Sequence, residues 1–137
     1  MITEYLRYKR GTELVSLPIL SVQIACNRKR EIVWAIIDSG AEISVFNAEI
    51  AGLLDIDIES GRKFDLGGVV DDRGLPAWLH QVSLTVGDLG SISIMVAFTN
   101  GPSPGLSLLG QRGFFDNFQI RFKRFQNSIE IWPKTAF

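Results

Sequence analysis

The 137-residue sequence contains one cysteine, Cys26, and one histidine, His80. A lone thiol excludes an internal disulfide framework, and a single Cys and His are too few for a structural zinc site. No metal or other cofactor is therefore expected. An excess of charge of one sign is also missing. Lys and Arg number 14 against 15 Asp and Glu, a net charge of −1 that provides no global field for nucleic acid. No apolar run approaches the ~18 residues needed to cross a bilayer, which argues against a membrane partner. The opening residues, Met1 to Arg10, have no apolar stretch of signal-peptide type, so a cytoplasmic location is expected. Internal repeats, low-complexity tracts and linkers are absent as well. With 46% hydrophobic and 21% charged residues, the chain can bury one core, and its length suits one domain.

What the chain has in quantity is period-two alternation. Leu20, Val22 and Ile24 alternate with Ser21 and Gln23, and Val82, Leu84 and Val86 with Ser83 and Thr85. Ile92, Ile94, Val96 and Phe98 repeat the pattern, as do Phe118, Ile120 and Phe122, and the short Ile129-Glu130-Ile131 segment closes the series. Alternation of this kind sets one face of a strand on a core and the other toward water. Turn signals separate the runs at Asn27–Arg30, Asp71–Gly74 and Gly87–Gly90. Ile32 to Ile37 is instead a continuous apolar run, the pattern of a strand buried on both faces. Helical signal is confined to Asn47–Leu54, with Asn47 as N-cap and Ile50, Leu53 and Leu54 on one face, and to one turn around Phe114, Phe115 and Phe118. The expected class is mainly β with one or two short helices.

The continuous run ends in Asp38-Ser39-Gly40. The triplet alone is weak, because roughly one chain in twenty of this length would contain Asp-(Ser/Thr)-Gly by accident. Its ordinary explanation is a strand-to-turn junction in which Asp and Ser bond the local backbone. A carboxylate at the end of a buried strand is nonetheless an unusual place for an unpaired charge. Context strengthens the signal. Ala41 follows, then an apolar stretch and the short helix, and farther along Leu108-Leu109-Gly110 precedes the aromatic turn.

This ordered set resembles the retropepsin family, the single-domain aspartic proteases typified by retroviral proteases. The resemblance runs from about Leu17 to Trp132. Asp38-Ser39-Gly40-Ala41 matches the family's Asp-(Ser/Thr)-Gly-Ala motif, and Leu108-Leu109-Gly110 matches its hydrophobic-hydrophobic-Gly signature. Gly101-Pro102-Ser103-Pro104 looks like the loop that lines the family's substrate groove. The resemblance implies a closed retropepsin-like β-barrel over residues 17–137, an N-terminal extension over residues 1–16, and a flap hairpin within Phe64 to Leu79.

It also implies a function. Peptide hydrolysis by two aspartates needs two carboxylates on one water, and this chain has a single Asp-Ser-Gly. The resemblance therefore implies an aspartic endopeptidase active as a homodimer, with Asp38 of each copy catalytic and an extended peptide as substrate. Ser39, Gly40, Leu108, Leu109 and Gly110 would support the active-site loop, with the Ser39 hydroxyl bonding across the dimer axis. Gly40, Ala41, Glu42, Gly68, Val69, Val70, Pro104 and Leu106 would contact substrate. Terminal strands often enter the family's dimer interface, which makes Ser128 to Trp132 a candidate. The competing readings are a catalytically silent dimerisation or peptide-binding module of the same fold, and a monomeric barrel with Asp38 in a polar turn.

Other patterns have ordinary explanations. Gly101 to Gly105 spells Gly-x-Ser-x-Gly, but two flanking prolines oppose the helix that a nucleophile elbow requires. Gly105 and Gly110 have phosphate-loop spacing, but Gln111 stands where lysine is needed. Glu59-Ser60-Gly61 mimics the triplet without a preceding buried strand and reads as a turn. His80 lies on a strand, where a lone imidazole is far more often structural than a general base. Arg121 to Phe125 interleaves basic and aromatic residues, but Phe118, Ile120 and Phe122 are accounted for as a core face. Cys26 needs no role.

Overall fold

A computed structural model describes residues 1–67, 74–100 and 107–134. The alternating segments form strands: β1 (Ile2–Glu4), β2 (Leu6–Arg10), β3 (Glu13–Leu17), β4 (Ile19–Cys26), β5 (Lys29–Ile37), β6 (Val45–Asn47), β7 (Arg62–Leu66), β8 (Leu75–Thr85), β9 (Ser91–Thr99), β10 (Ser107–Leu109), β11 (Phe118–Lys123) and β12 (Ser128–Pro133). One short helix, α1 (Ala48–Leu53), follows β6, and its N-cap is Asn47, whose side chain accepts the Ile50 N–H. The Asn27-Arg28 turn has positive φ at both residues (53° and 64°), the type I′ geometry whose twist suits a two-residue hairpin between β4 and β5.

The main sheet runs in the order β4-β5-β10-β6-β9-β8-β7, and a further pairing of β4 with β8 closes it. Closure depends on the length of β8. Its Leu75–Leu79 half pairs with β7, while Ser83–Thr85 pairs with β4. Inside lie Val22, Ile24, Ala35, Val82, Leu84, Val96, Phe98 and Leu109, all almost fully buried. A second sheet, β1-β12-β11, covers one end of this core with Ile129 and Ile131. The fold is mainly β, as the alternation predicts.

Three expectations are corrected. The β5 run is buried on one face only: Val33, Ala35 and Ile37 point inward, whereas Ile32 is 71% exposed and Trp34 52% exposed. A sheet closed on itself has one interior, and apolar residues on its outer face have no second layer to meet. In β11, Phe118 is buried but Phe122 is 41% exposed, because this edge strand runs past the core it covers. On α1, Ile50, Ala51 and Leu54 at its end pack on the core as a face, but Leu53 faces water. The Phe114–Phe118 stretch makes one turn, closed by Phe118 N–H to the Phe114 carbonyl at 3.1 Å.

Across the outer face of β11 and β12, Glu130 meets Lys123 Nζ at 2.9 Å and Arg121 Nη1 at 3.2 Å. The Lys123 hydrogen bond is the main reason that its carboxyl titrates below the usual carboxylate range, against a smaller opposing effect of desolvation. A carboxylate with a depressed folded-state pKa stabilises the fold above its unfolded value and loses that contribution as pH falls through the folded one. Glu130→Gln should therefore lower the thermal midpoint at neutral pH, with the gap to wild type closing in acid. A gap that stays constant with pH would contradict this role.

Candidate active site

Asp38 stands where β5 runs out of the sheet. The Ile37 N–H donates to the Pro18 carbonyl and the Asp38 N–H to the Leu109 carbonyl, both at 2.9 Å. The parallel neighbour β10, in register Leu109↔Ile37, thus holds the backbone up to the aspartate itself. Beyond it the chain turns tightly. Gly40 N–H donates to Asp38 Oδ1 at 2.9 Å, and Ala41 N–H to the Asp38 carbonyl at 3.2 Å. Asp38 as a residue is half-buried, while Ser39 and Gly40 are exposed. The Ser39 hydroxyl bonds no described residue.

The turn is tied to the segment after β10. Gln111 Nε2 donates to the Ser39 carbonyl at 2.7 Å, and the Gln111 and Arg112 N–H groups reach the Ala41 and Glu42 carbonyls at 2.8 and 2.9 Å. Beneath them lies Ser44, fully buried, whose Oγ accepts the Gly110 N–H at 3.0 Å and donates to the Arg112 carbonyl at 3.3 Å. Gly110 is required by space. A Cβ there would sit 2.5 Å from the Ile43 carbonyl oxygen and 2.8 Å from that of Ala41.

A cavity of about 390 Å³ opens above the loop. Its floor includes Asp38, Gly40 and Leu108, with Ala41 and Glu42 at the side, and its opposite wall is Phe64 of β7 and Leu75 of β8. The Arg112 guanidinium lies 5.8 Å from the centroid of the Phe64 ring and links the loop to this wall. An acidic group thus faces an apolar slot bounded by two strands, a shape suited to an extended chain. Among the described residues no cluster of three or more His, Cys, Asp or Glu could hold a metal ion.

This arrangement of a closed β-ring, a parallel β5–β10 support and an Asp-Ser-Gly turn under a hairpin decides the architecture. The fold is that of the retropepsins. The retropepsin-like aspartic protease from Rickettsia conorii superposes with a TM-score of 0.60 at 15% identity, covering 98% of this chain and 94% of that one. The retroviral protease-like domain of Ddi1 from Leishmania major gives 0.54 at 17% identity, covering 84% and 89%. The EIAV protease complexed with the inhibitor HBY-793 gives 0.50 at 18% identity, covering 76% and 88%. No protein-family model matches the chain, and no curated protein matches it. At these identities the likeness establishes the retropepsin fold.

Of the residues singled out from sequence, Asp38, Gly40, Ala41, Glu42 and Leu108 share the cavity. Leu109 is fully buried in the core, and the Gly110 N–H bonds the buried Ser44 hydroxyl. Gly68, Val69, Val70, Pro104 and Leu106 lie outside the described residues. Ser44, Gln111 and Arg112 were missed. Only Ser44 had a signal, as a hydroxyl set between apolar Ile43 and Val45.

The remaining polar patterns have structural roles. His80 Nε2 is 2.7 Å from the Ile58 carbonyl, so this nitrogen carries the proton and donates it to that oxygen. Glu59 and Ser60 belong to a single 3-10 turn (Ile58–Ser60) ending at Gly61.

The buried pairing predicts its own cost. Ser44→Ala leaves the Gly110 N–H without an acceptor and should destabilise the fold by about 1–3 kcal/mol in denaturant titration. Gly110→Ala should cost more, since its Cβ meets backbone on two sides. A Gly110→Ala protein as stable as wild type would refute this packing.

Proposed function

We propose that the chain is an aspartic endopeptidase that acts as a homodimer, with one Asp38 from each copy. The observation that carries the reading is the placement of Asp38: half-buried, fixed by Gly40 N–H, and at the floor of a strand-shaped apolar cavity. Within a single copy, no second carboxylate occupies an equivalent turn among the described residues. Two copies related by a twofold axis would supply the pair through an isologous contact.

The chemistry follows from the two carboxylates. Close together they repel when both are ionised, so they share one proton and titrate as a pair. The ionised Asp38 takes a proton from water as the water oxygen attacks the peptide carbonyl carbon. The protonated Asp38 gives its proton to the carbonyl oxygen. The resulting gem-diol collapses with breakage of the C–N bond: the now-protonated Asp38 gives its proton to the leaving nitrogen, and the other, now ionised, takes one hydroxyl proton as the carboxyl product forms, which restores the pair. Gly40 lets the backbone approach the substrate, and its carbonyl accepts a peptide N–H. The unengaged Ser39 hydroxyl bonds across the axis and keeps the two turns in register. Ala41 and Glu42 receive the substrate main chain, and Leu108 and Leu75 favour apolar side chains at the scissile bond. Gly68, Val69, Val70, Pro104 and Leu106 complete the substrate contacts in this reading, and the β7–β8 hairpin serves as the flap. Residues 17–137 form the catalytic domain and residues 1–16 an extension.

Cleavage of a diverse peptide mixture is the direct test. Wild type should show a bell-shaped pH profile, and its activity per chain should rise with protein concentration in the dilute range. Asp38→Asn should lower turnover by about three orders of magnitude or more while leaving the fold intact. Activity surviving that change would overturn the assignment. Silence from a folded, dimeric wild type against all peptides would favour the non-catalytic module.

A further inference from the structure

One peptide group stands between two side chains at the Asp38 turn. The Ser39 carbonyl and the Gly40 N–H belong to the same trans peptide unit and point in opposite directions. The N–H end donates to Asp38 Oδ1 at 2.9 Å, and the carbonyl end accepts Gln111 Nε2 at 2.7 Å. A carbonyl oxygen only accepts, so the Gln111 amide is oriented with its nitrogen toward Ser39. Together these groups form a hydrogen-bond chain of one direction, from the Gln111 amide through the peptide to the carboxylate.

The members of such a chain strengthen one another. A donor on the carbonyl oxygen polarises the peptide and makes its N–H a better donor, by about 10–30% per bond. A better N–H donor in turn favours the ionised carboxylate. The same contact fixes the plane of a peptide that lies in an exposed turn, and among the described residues nothing else bonds the Ser39 carbonyl. Gln111 is itself exposed, and its side chain is not what ties the two segments together. That is done by the Gln111 and Arg112 N–H groups on the Ala41 and Glu42 carbonyls, at 2.8 and 2.9 Å, and by the Gly110 N–H on Ser44 Oγ at 3.0 Å. All three bonds survive removal of the Gln111 amide. The other charged side chains about the turn are Glu42 at the side of the cavity and Arg112 on the Phe64 ring, and neither bonds the Asp38 carboxylate or the Ser39–Gly40 peptide.

We propose that Gln111 is a positioning residue for Asp38, holding and polarising the Ser39–Gly40 peptide whose N–H keeps the ionised carboxylate in place. This inference rests on the reading of Asp38 as half of a catalytic pair, and it names the side chain that tunes each half from outside the cavity. Gln111 touches neither substrate nor the reacting atoms. Its effect reaches them through one peptide group, so it is felt in the protonation and aim of the carboxylate rather than in the binding of substrate.

Gln111→Met keeps the length of the side chain and removes the donor, whereas Gln111→Lys keeps a donor of similar reach. Peptide cleavage is measured against pH for both variants and wild type, and the Gly40 amide is followed by nuclear magnetic resonance over the same range. Gln111→Met should lower kcat by about tenfold while KM changes by less than about twofold. Both limbs of its pH profile should move up by about half a pH unit, because each ionised carboxylate loses support. Its Gly40 amide proton should move upfield and report the carboxylate titration at the same higher pH, with the thermal midpoint unchanged. Gln111→Lys should recover kcat to within about threefold of wild type, with limbs at or below the wild-type positions. Lost activity with an unmoved pH profile and Gly40 amide would make Gln111 merely structural and overturn the proposal. So would a Gln111→Met protein that fails to fold or keeps full activity, or a Gln111→Lys protein no better than Gln111→Met. Failure of the protease reading looks different: wild type cleaves nothing, and the Gly40 amide then decides alone, supporting the proposal if it moves in Gln111→Met and overturning it if it does not.

Discussion

The structure depends on holding one backbone turn where a strand leaves the sheet. Asp38 has no strand beyond it to fix its position, and among the described residues its side chain is engaged only by the Gly40 N–H. Order comes from behind. The parallel pairing of β5 with β10 carries hydrogen bonding up to the aspartate, and the buried Ser44 hydroxyl joins Gly110 to the chain passing above it. Because Gly110 has no Cβ, the two segments approach closely enough for their peptide groups to bond. The apolar core fixes β5 and β10, these fix the turn, and the turn presents the carboxylate to the cavity.

Much of this was legible in the sequence because its elements are local. Alternation identified β4, β8 and β9, the cap at Asn47 marked α1, and the Asp-Ser-Gly and Leu-Leu-Gly motifs marked the turn and its support. What was not legible was non-local. Period-two patterning reveals that a strand has two faces but not whether a second layer covers the outer one, so Ile32 and Trp34 read as core and proved exposed. Gln111 and Arg112 act through contacts with Ser39 and Phe64 far away in sequence, and neither residue type marks such a role. The β2–β3 hairpin gave no motif either. Its alternation is interrupted by charges.

The two walls of the cavity differ in how they are built. The floor is held by peptide hydrogen bonds among Asp38, Ala41, Glu42, Leu109, Gln111 and Arg112, which have short range and little tolerance. The facing wall is apolar, and Arg112 touches it through a ring face rather than a directional bond. A polar floor fixed by directional bonds thus faces a wall held by less directional forces.

The sharing of one edge of β8 between β7 and β4 has a mechanical consequence. Along Ser83–Thr85 the strand is bonded on both sides, to β4 and to β9, and is clamped into the closed ring. Toward Leu75 only the narrow β7 lies on one side, and β9 gives out opposite Ala77. The strand is thus a cantilever: one end is built into the wall, the other projects over the carboxylate, and its compliance rises with distance from the ring. Bending of β8 would concentrate beyond the last β9 partner and leave the closed ring that holds Asp38 undisturbed.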